Sequence, residues 1–357
     1  MTKILFLTPY PLNSAPSQRF RFEQYFSYLS NNNIVIHTAP FLDKNTWKIF
    51  YQKGYLLQKV LGILKGLINR HLLLLKIHQY DKIFIHREAC MIGPAYFEWM
   101  YAKIFKKKLI FDFDDAIWLK DVSDANENLS WLKFPNKTKS IIKHASFVVA
   151  GNKHLANYAL QFNKNVTVIP TTIDTSYHQP PILKKSTDTI TIGWTGSLTT
   201  NKHFELLKNV LTTITTKFPQ VEIIMISNVA IYSNDFKIKF VKWNQKTEIE
   251  DLSQIDIGIM PLPDDEWAKG KCGFKGLQYM ALEVPTIMSP VGVNTEIIQD
   301  GVNGFLASTE EEWLSKLGLF IQSEELRKKL GKAGRQTIIE RYSIEANKDK
   351  YLALLSN

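Results

Sequence analysis

The stretch "ITIGWTGSLTTNKHFELL", residues 190–207, has the pattern of a buried strand, a glycine-containing turn and a helix. Its apolar start predicts a strand that ends at Trp194, and Asn201 is the predicted N-cap of the following helix. Glycine lets a backbone approach an anion, and a helix N-terminus presents free N–H groups with the positive end of the helix dipole. The stretch therefore indicates either a phosphate-binding loop or an ordinary strand–turn–helix connection.

A second stretch, "KGKCGFKGLQYMALEVPT" at residues 269–286, places positive charge and bare backbone directly ahead of another predicted helix. Three of its lysines surround two glycines, and lysines this close repel each other unless an anion or nearby acids compensate. The acidic residues 264–266 would compensate them in a solvated basic loop, which is the alternative interpretation. Because two such loops occupy equivalent places after predicted strands, we predict that together they clamp a diphosphate.

Short apolar strands alternate with helices on both sides of these loops, and this spacing favours parallel, doubly wound sheets. The alternation stops at residues 170–189, which are rich in Pro, Thr and Ser and are predicted to be a linker. The sequence thus predicts an α/β protein with two Rossmann-like domains, at residues 1–172 and 173–345. A C-terminal helix at residues 346–357 is expected to return to the first domain.

Composition limits the class of protein. The chain has 357 residues and only two cysteines, which excludes a disulfide framework or a Cys-based zinc site and suits a reducing compartment. The N-terminus has the pattern of a first strand rather than a signal peptide. No apolar run approaches the roughly 18 residues that a membrane-spanning helix needs.

Positive charge is concentrated in the first half of the chain. Residues 1–170 hold 23 Lys and Arg against 11 Asp and Glu, whereas residues 171–357 hold 21 against 23. This asymmetry indicates a polyanionic partner for the first half. We expect no nucleic acid, since no known binding motif is present and the basic stretch is mainly aliphatic.

Residues 47–76 explain much of this asymmetry. Apolar residues recur there at the spacing of one helix face: Leu57, Leu61, Leu64, Ile68, Leu72 and Leu75. Cations occupy other positions: Lys59, Lys65, Arg70 and Lys76. An apolar stripe flanked by cations suits an anionic membrane surface, and the alternative is a core helix with solvated lysines.

The second half of the chain resembles the C-terminal domain of GT-B-fold glycosyltransferases, in particular the retaining glycosyltransferase family 4, and the resemblance covers most of the chain. In that family a Gly-Arg-Leu-x-x-x-Lys-Gly loop holds the donor diphosphate. It aligns with Gly196, Ser197 and Lys202, with serine in place of the arginine. The sequences "VIPTTID" at the linker and "SPVGVNTEIIQDGVNGFL" at residues 289–306 match as well.

A Glu-x7-Glu motif running into Met-Ala-x-Gly-x-Pro is the second landmark of that family. It aligns with residues 270–285, where Gly273 matches its glycine but Gly270 and Gln278 replace its glutamates. The second glutamate usually holds the ribose hydroxyls, and Gln278 still donates and accepts hydrogen bonds. The first usually lies near the transferred sugar, so either Lys271, Glu266 or another nearby group contacts the sugar, or activity is weak.

The resemblance implies that residues 1–172 bind the acceptor and residues 173–345 the nucleotide sugar, with both domains facing a central cleft. Trp243, after the predicted strand "IKFVKW", would border the base. The predicted donor-binding residues are Gly196, Ser197, Lys202, Trp243, Lys271, Gly273, Phe274, Lys275 and Gln278.

Asp112, Asp114 and Asp115 follow a predicted strand in "FDFDDAIW". Three interpretations stay open: a divalent metal site for a diphosphate, N-capping by Asp114 or Asp115, and contact with acceptor hydroxyls or the donor sugar. GT-B enzymes usually need no metal, and bacterial members of the family carry a similar Asp-Phe-Asp-Asp-Ala. We therefore predict these three carboxylates to be catalytic and expect no metal site.

Arg19 and Arg21 follow the first strand, in "APSQRFRFEQYF", where members of the family often have a glycine-rich loop. They either contact acceptor phosphate or donor, or face solvent at the start of a helix. Arg87 and Glu88 end another strand, in "IHREA", beside a histidine for which a structural role is favoured. We predict Arg19, Arg21, Arg87 and Glu88 as acceptor or cleft residues.

The sequence thus predicts a metal-independent hexosyltransferase without a cofactor, which moves sugar from a UDP- or GDP-sugar to a glycan or lipid-linked acceptor. The resemblance implies retention of configuration and a role in bacterial surface polysaccharide biosynthesis. We expect a cytoplasmic protein, peripheral on the inner face of the plasma membrane. Two alternatives remain: a sugar-nucleotide 2-epimerase of the same fold, and a catalytically weak sugar-nucleotide-binding subunit, suggested by the two replaced glutamates.

Overall fold

The computed structural model describes residues 1–119, 134, 136–181 and 189–356. In this part of the chain the strands form two six-stranded parallel sheets, which confirms the predicted doubly wound α/β fold. The chain divides into two compact units, one of Met1–Thr171 with Asn347–Asn357 and one of Thr172–Ala346. Part of the predicted linker, residues 182–188, lies outside the described residues.

The first unit is built on a sheet with the strand order β2-β1-β3-β4-β5-β6. Its strands are β1 (Thr2–Thr8), β2 (Ile34–Pro40), β3 (Lys82–His86), β4 (Lys108–Phe113), β5 (Phe147–Ala150) and β6 (Val166–Val168). Its helices are α1 (Pro16–Arg19), α2 (Phe26–Asn31), α3 (Lys44–Phe50), α4 (Leu56–Lys76), α5 (Tyr96–Trp99), α6 (Lys137–His144) and α7 (Lys153–Leu160).

The second unit is also built on a six-stranded parallel sheet, but with the strand order β12-β11-β10-β7-β8-β9. Its strands are β7 (Ile190–Thr195), β8 (Val221–Ser227), β9 (Ile238–Lys242), β10 (Ile257–Met260), β11 (Thr286–Met288) and β12 (Phe305–Leu306). The helices from here to the end are α8 (Asn201–Glu205), α9 (Lys208–Lys217), α10 (Glu248–Leu252), α11 (Glu266–Lys269), α12 (Phe274–Ala281), α13 (Asn294–Ile297), α14 (Glu310–Gln322), α15 (Glu324–Thr337) and α16 (Ile344–Ser356).

The strands are apolar because helices cover both faces of each sheet, as in other parallel sheets. In the first unit the rings of Phe6 and Phe22 pack on Phe84, at centroid distances of 4.7 and 5.3 Å. In the second unit Ile192 and Ile257 lie in one buried cluster with helices α9 and α14. This packing fixes the carboxyl ends of the strands, where ligand-binding loops are expected.

The C-terminal residues of α16 are anchored within the first unit. The ring of Tyr351 packs on Tyr25 at 4.5 Å, and Lys82 Nζ donates a hydrogen bond of 2.7 Å to the carbonyl of Leu355. The hydroxyl of Tyr28 donates to Asp349 at 2.6 Å. These contacts tie the last turns of the chain to β3 and to the segment that follows β1.

Helix α4 decides between the two interpretations of the apolar stripe in residues 47–76. The predicted apolar stripe does form, but it faces solvent, so the interpretation as a core helix is wrong. Two of the four predicted flanking cations, Lys59 and Arg70, are instead buried. Among the described residues, no helix is both long enough and apolar enough to span a bilayer.

Candidate functional site

The loop after β7 is shaped by a buried tryptophan. The indole of Trp194 is fully buried, and a Cβ atom at Gly196 would lie 2.1 Å from its ring, so position 196 requires glycine. The N–H of Thr195 donates to the hydroxyl of Tyr279 at 2.7 Å, which ties this loop to α12. The strand extends one residue beyond the predicted end, and Asn201 is the first helical residue rather than the N-cap.

Helix α12 begins beside the same tryptophan. Gly273 takes the N-cap position with a φ of +70°, and a Cβ atom there would lie 2.3 Å from the side chain of Ile297. Two residues later, Lys275 Nζ lies 4.5 Å from the centre of the Trp194 ring. The structure thus brings the two predicted glycine–lysine loops together, because Lys275 of the second loop packs on Trp194, which precedes the first loop.

Lys202, Lys271 and Lys275 all lie close enough to His203 to affect its pKa, and we call these three lysines the cationic cluster. Burial, with a contribution from Lys271, lowers the pKa of Lys275 to about 7. Burial and the charges of Lys275, Lys271 and Lys202 lower the pKa of His203 to about 4. Among the described residues no carboxylate forms an ion pair with Lys275, so the site favours an incoming anion.

The acidic residues that precede α12 compensate a different lysine. Lys269 Nζ lies 2.9 Å from Glu266 and 3.6 Å from Asp264. Asp265 caps α11 by accepting a hydrogen bond from the N–H of Ala268 at 2.7 Å. The alternative of a self-compensated basic loop therefore holds for Lys269, but not for Lys275.

Two further predicted donor-binding residues, Gln278 and Trp243, lie in the same unit as the cationic cluster. Gln278 is buried on α12, and its Nε2 atom has no hydrogen-bond partner within the described residues. Asn294, which the sequence interpretation did not assign, has a buried Oδ1 without a partner there, 3.5 Å from the Cβ position of Gly273. Trp243 is half-buried after β9, with its indole N–H donating to Glu248 at 3.2 Å.

The remaining donor-loop residues are partly exposed. Ser197 donates its N–H to the hydroxyl of Thr200 at 2.9 Å, while Lys202 is exposed on α8 and Phe274 is half-buried at the start of α12. Trp194, His203 and Asn294 were not predicted as site residues. A signal was present for all three, because they lie in or beside the quoted loop sequences, but their burial and contacts were not predictable from spacing.

The pKa of Lys275 makes anion binding depend on pH. The side chain is charged below about pH 7 and neutral above it, and a diphosphate prefers the charged form. We expect affinity for a UDP-hexose, whose diphosphate charge is constant in this range, to fall roughly tenfold between about pH 6 and about pH 8.5. Calorimetric titration at several pH values measures this, and a flat profile would contradict the assignment of Lys275.

The first predicted catalytic carboxylate lies inside the first unit. Asp112 is fully buried in an ion pair with Arg21, whose guanidinium also donates to the carbonyl of Ile169. Burial alone would raise the pKa of Asp112, but Arg21 and a hydrogen bond from His86 hold it below its ordinary value. Because an ionised carboxylate only accepts, Nδ1 of His86, 2.8 Å away, carries a proton.

Two predictions from the sequence need correction here. Arg21 neither contacts solvent at a helix start nor lies open to an acceptor phosphate, since its side chain is fully buried. Asp112 has no exposed surface either, so it positions Arg21 and His86 rather than contacting a substrate. Arg21 and Asp112 form a buried network because a fully buried charge requires an oppositely charged partner with good geometry.

The other two carboxylates are partly exposed at the carboxyl end of β4. Asp114 Oδ1 accepts from Arg87 Nε at 2.9 Å and lies 4.0 Å from Nε2 of His86. Asp115 accepts from the N–H of Ala116 and lies 3.9 Å from Arg87, so neither carboxylate caps a helix among the described residues. These two remain the substrate-facing candidates.

The remaining predicted cleft residues have local partners. Glu88 forms an ion pair of 2.8 Å with Lys137. Arg19 is half-buried, with its guanidinium 4.9 Å from the ring of Phe20. Two tyrosines that the sequence analysis did not assign, Tyr10 and Tyr51, lie near Arg87. The ring of Trp47 packs on both of them, at 4.3 Å from Tyr10 and 5.5 Å from Tyr51.

Residues 189–322 match the family described as Glycosyl transferases group 1. The matched range runs from the residue before β7 to the last residue of α14, so it includes the whole cationic cluster. None of the curated proteins compared with the chain matches its sequence.

Solved structures resemble the chain over nearly its full length. A sucrose-phosphate synthase from Thermosynechococcus elongatus aligns over 100% of this chain and 98% of its own, with a TM-score of 0.70 and 13% identity. A glycosyltransferase from Rickettsia africae has the same TM-score at 16% identity, over 99% and 98% of the two chains. Anabaena HepE, solved with UDP and glucose, has a TM-score of 0.66 and 14% identity, over 100% of both chains.

These comparisons confirm the predicted resemblance to GT-B-fold glycosyltransferases. Structural likeness at such low identity establishes the fold alone. The assignment to family 4 and the roles of individual site residues stay predictions.

Proposed function

We propose that this chain, whose residues 189–322 match the group 1 glycosyl transferases and whose fold is that of GT-B enzymes, transfers a sugar from a nucleotide-diphosphate sugar. The observation that carries the proposal is the cationic cluster at the carboxyl edge of the second sheet. Lys275 packs on the ring of Trp194, burial lowers its pKa to about 7, and it has no carboxylate partner among the described residues. A diphosphate supplies the missing negative charge.

The proposed step is a substitution at the anomeric carbon of the donor sugar. The bond from C1 to the β-phosphate oxygen breaks, a bond from C1 to an acceptor hydroxyl oxygen forms, and the hydroxyl proton passes to the departing phosphate. Negative charge grows on the diphosphate, so Lys202, Lys271 and Lys275 would stabilise the transition state. We propose attack from the same face, with retention and without a metal.

The nucleotide would be held by residues around the same cluster. Gln278, with a buried amide that lacks a partner in the described chain, would bind the ribose, and Trp243 would border the base. The backbone N–H groups of the loop after β7 and of the α12 N-terminus would contact the phosphates.

The proposed acceptor is a glycan or lipid-linked glycan of a bacterial surface polysaccharide. It would be bound by the first unit, where Asp114 and Arg87 lie at the carboxyl ends of β4 and β3. We propose a cytoplasmic enzyme, peripheral on the inner face of the plasma membrane, with residues 47–76 as the contact with anionic lipid.

Donor turnover by the purified chain tests this proposal. We expect release of UDP or GDP from one donor of a panel of UDP- and GDP-hexoses, with a chelator present. Replacing the exposed Lys202 with alanine should slow the release about tenfold, because the diphosphate loses one of the cations that would contact it.

Lys208→Ala is the matched control, since Lys208 is likewise exposed but pairs with Asp235 at 2.8 Å. It should leave turnover unchanged. Consumption of donor to an epimerised sugar without an acceptor would instead identify a 2-epimerase, and nucleotide binding without any turnover would identify a binding subunit.

A further inference from the structure

The solvent-facing side of α4 carries a continuous row of large apolar side chains. Each is between 43% and 73% exposed, which is unusual for residues of this size on one helix. The row consists of Leu56, Leu57, Val60, Leu61, Leu64, Ile68, Leu72 and Leu75. We call these residues the leucine row.

The opposite side of α4 explains why the leucine row points outward. A Cβ atom at Gly62 would lie 2.3 Å from the side chain of Thr46, and one at Gly66 would lie 2.7 Å from the carbonyl oxygen of Phe41. The buried Arg70 donates to the carbonyls of Ala89 and Thr8. Small residues and a hydrogen-bonded guanidinium therefore form the packed side, and this contact fixes the rotation of the helix.

The surroundings of the leucine row are cationic. Residues 44–80 contain no Asp or Glu. Lys65 and Lys76 lie three helical turns apart on one flank of the row and are exposed. That flank opens on a pocket of about 450 Å³, which these lysines line together with Asn69 and Asp43. Asp43 pairs with Lys65 at 2.8 Å, so two lysines face one carboxylate and the flank keeps a net positive charge. An anionic headgroup beside the row would thus meet positive charge.

Aromatic residues lie on the same side of the first unit. His71 of α4 lies 6.2 Å from the ring of Tyr96, which in turn lies 6.5 Å from Trp99. Tyr96 and Trp99 are 43% and 40% exposed. Rings with an apolar body and a polar edge are preferred at the interface between lipid and water.

We propose that α4 lies in the plane of an anionic phospholipid bilayer, with the leucine row in the acyl boundary and Lys65 and Lys76 at the headgroups. A second copy of the chain is the less favourable occupant, because self-association through this face would bring two cationic flanks together. The proposal deepens the proposed function by naming the surface on which a lipid-linked acceptor is met. Only the identity of the lipid-linked acceptor rests on the proposed function; the membrane contact itself does not.

Co-sedimentation with vesicles tests this surface without any donor sugar. We expect the full chain to bind vesicles containing about one-third phosphatidylglycerol, and more weakly those of phosphatidylcholine alone. A triple variant, Leu57→Gln, Leu64→Gln and Ile68→Gln, should bind the anionic vesicles at least about tenfold more weakly. Because these side chains are exposed, its thermal unfolding should match the wild type.

Leu160→Gln is the matched control, since Leu160 is 51% exposed on α7, which packs on β5 and β6. It should bind like the wild type. The proposal is overturned if the wild type fails to bind anionic vesicles, or if the triple variant binds as tightly. A wild-type dimer that the triple variant abolishes, without vesicle binding, would assign the leucine row to self-association. Vesicle binding without donor turnover would leave this surface intact and remove the proposed function.

Discussion

Replacing Lys275 with methionine should lower kcat/KM for the nucleotide-sugar donor about a hundredfold, the size expected for a group that stabilises a departing anion. Methionine keeps the packing on Trp194 but removes the charge next to the diphosphate. Stability should not fall, because burial already disfavours the charged form of this lysine in the folded protein. Steady-state kinetics with thermal unfolding measures both effects.

The same variant separates a catalytic role from a structural one. If Lys275 causes the fall in donor affinity above pH 7, the Lys275→Met protein should bind the donor with nearly flat pH dependence. Lys208→Met is the control for removal of an exposed lysine in the same unit. Wild-type kinetics in the Lys275→Met protein would remove the cationic cluster from the mechanism.

Replacing Asp112 with alanine should lower the free energy of unfolding of the first unit by about 3–5 kcal/mol. The change leaves the fully buried guanidinium of Arg21 without its carboxylate partner and leaves Nδ1 of His86 unpaired. Chemical denaturation followed by a probe in the first unit measures it. Lys65→Gln, which breaks the exposed pair with Asp43, should cost at most about 1 kcal/mol.

Lowering the pH should reduce the difference in unfolding free energy between the wild type and the Asp112→Ala variant. Because the pKa of Asp112 is lower in the folded protein, its stabilising contribution is complete above the unfolded value of about 3.9. It is lost as pH falls from there through the folded pKa. A destabilisation by Asp112→Ala no greater than that by Lys65→Gln at neutral pH would show that the buried pair is not formed.

The sheets were predictable because their evidence is local. Each strand is a short apolar run bounded by turn residues, and β1, β3 and β4 were all recognised in this way. Short elements were harder: β12 has two residues, too few for a periodic pattern. The predicted helix after β7 is divided into α8 and α9, which apolar spacing alone does not reveal.

Helix α4 shows what periodicity leaves undetermined. The spacing of leucines correctly located a stripe, but it cannot say which side of a helix faces the core. That choice depends on the close packing of Gly62 and Gly66 against Thr46 and Phe41. It also depends on the backbone carbonyls that accept hydrogen bonds from Arg70. The side of α4 with Gly62, Gly66 and Arg70 is buried because these residues fit closely against the rest of the first unit.

The candidate site was predictable in its loops and not in its contacts. Glycines and lysines after strands pointed to Lys202 and Lys275, since parallel strands end at one edge of a sheet. Arg21 and Asp112 are 91 residues apart, and nothing in either local sequence indicated that they pair. Because the structure shows both side chains fully buried, we assign Asp112 a positioning role instead of the predicted catalytic one.

The central claim is that the second unit binds a nucleotide diphosphate through its cationic cluster. Calorimetric titration of the purified wild-type chain with UDP and with GDP at neutral pH tests it most directly. We predict saturable binding of one nucleotide in preference to the other, weakened by Lys275→Met and unchanged by Lys208→Met. Binding of neither nucleotide would contradict the claim, and with it the proposal that this chain is a glycosyltransferase.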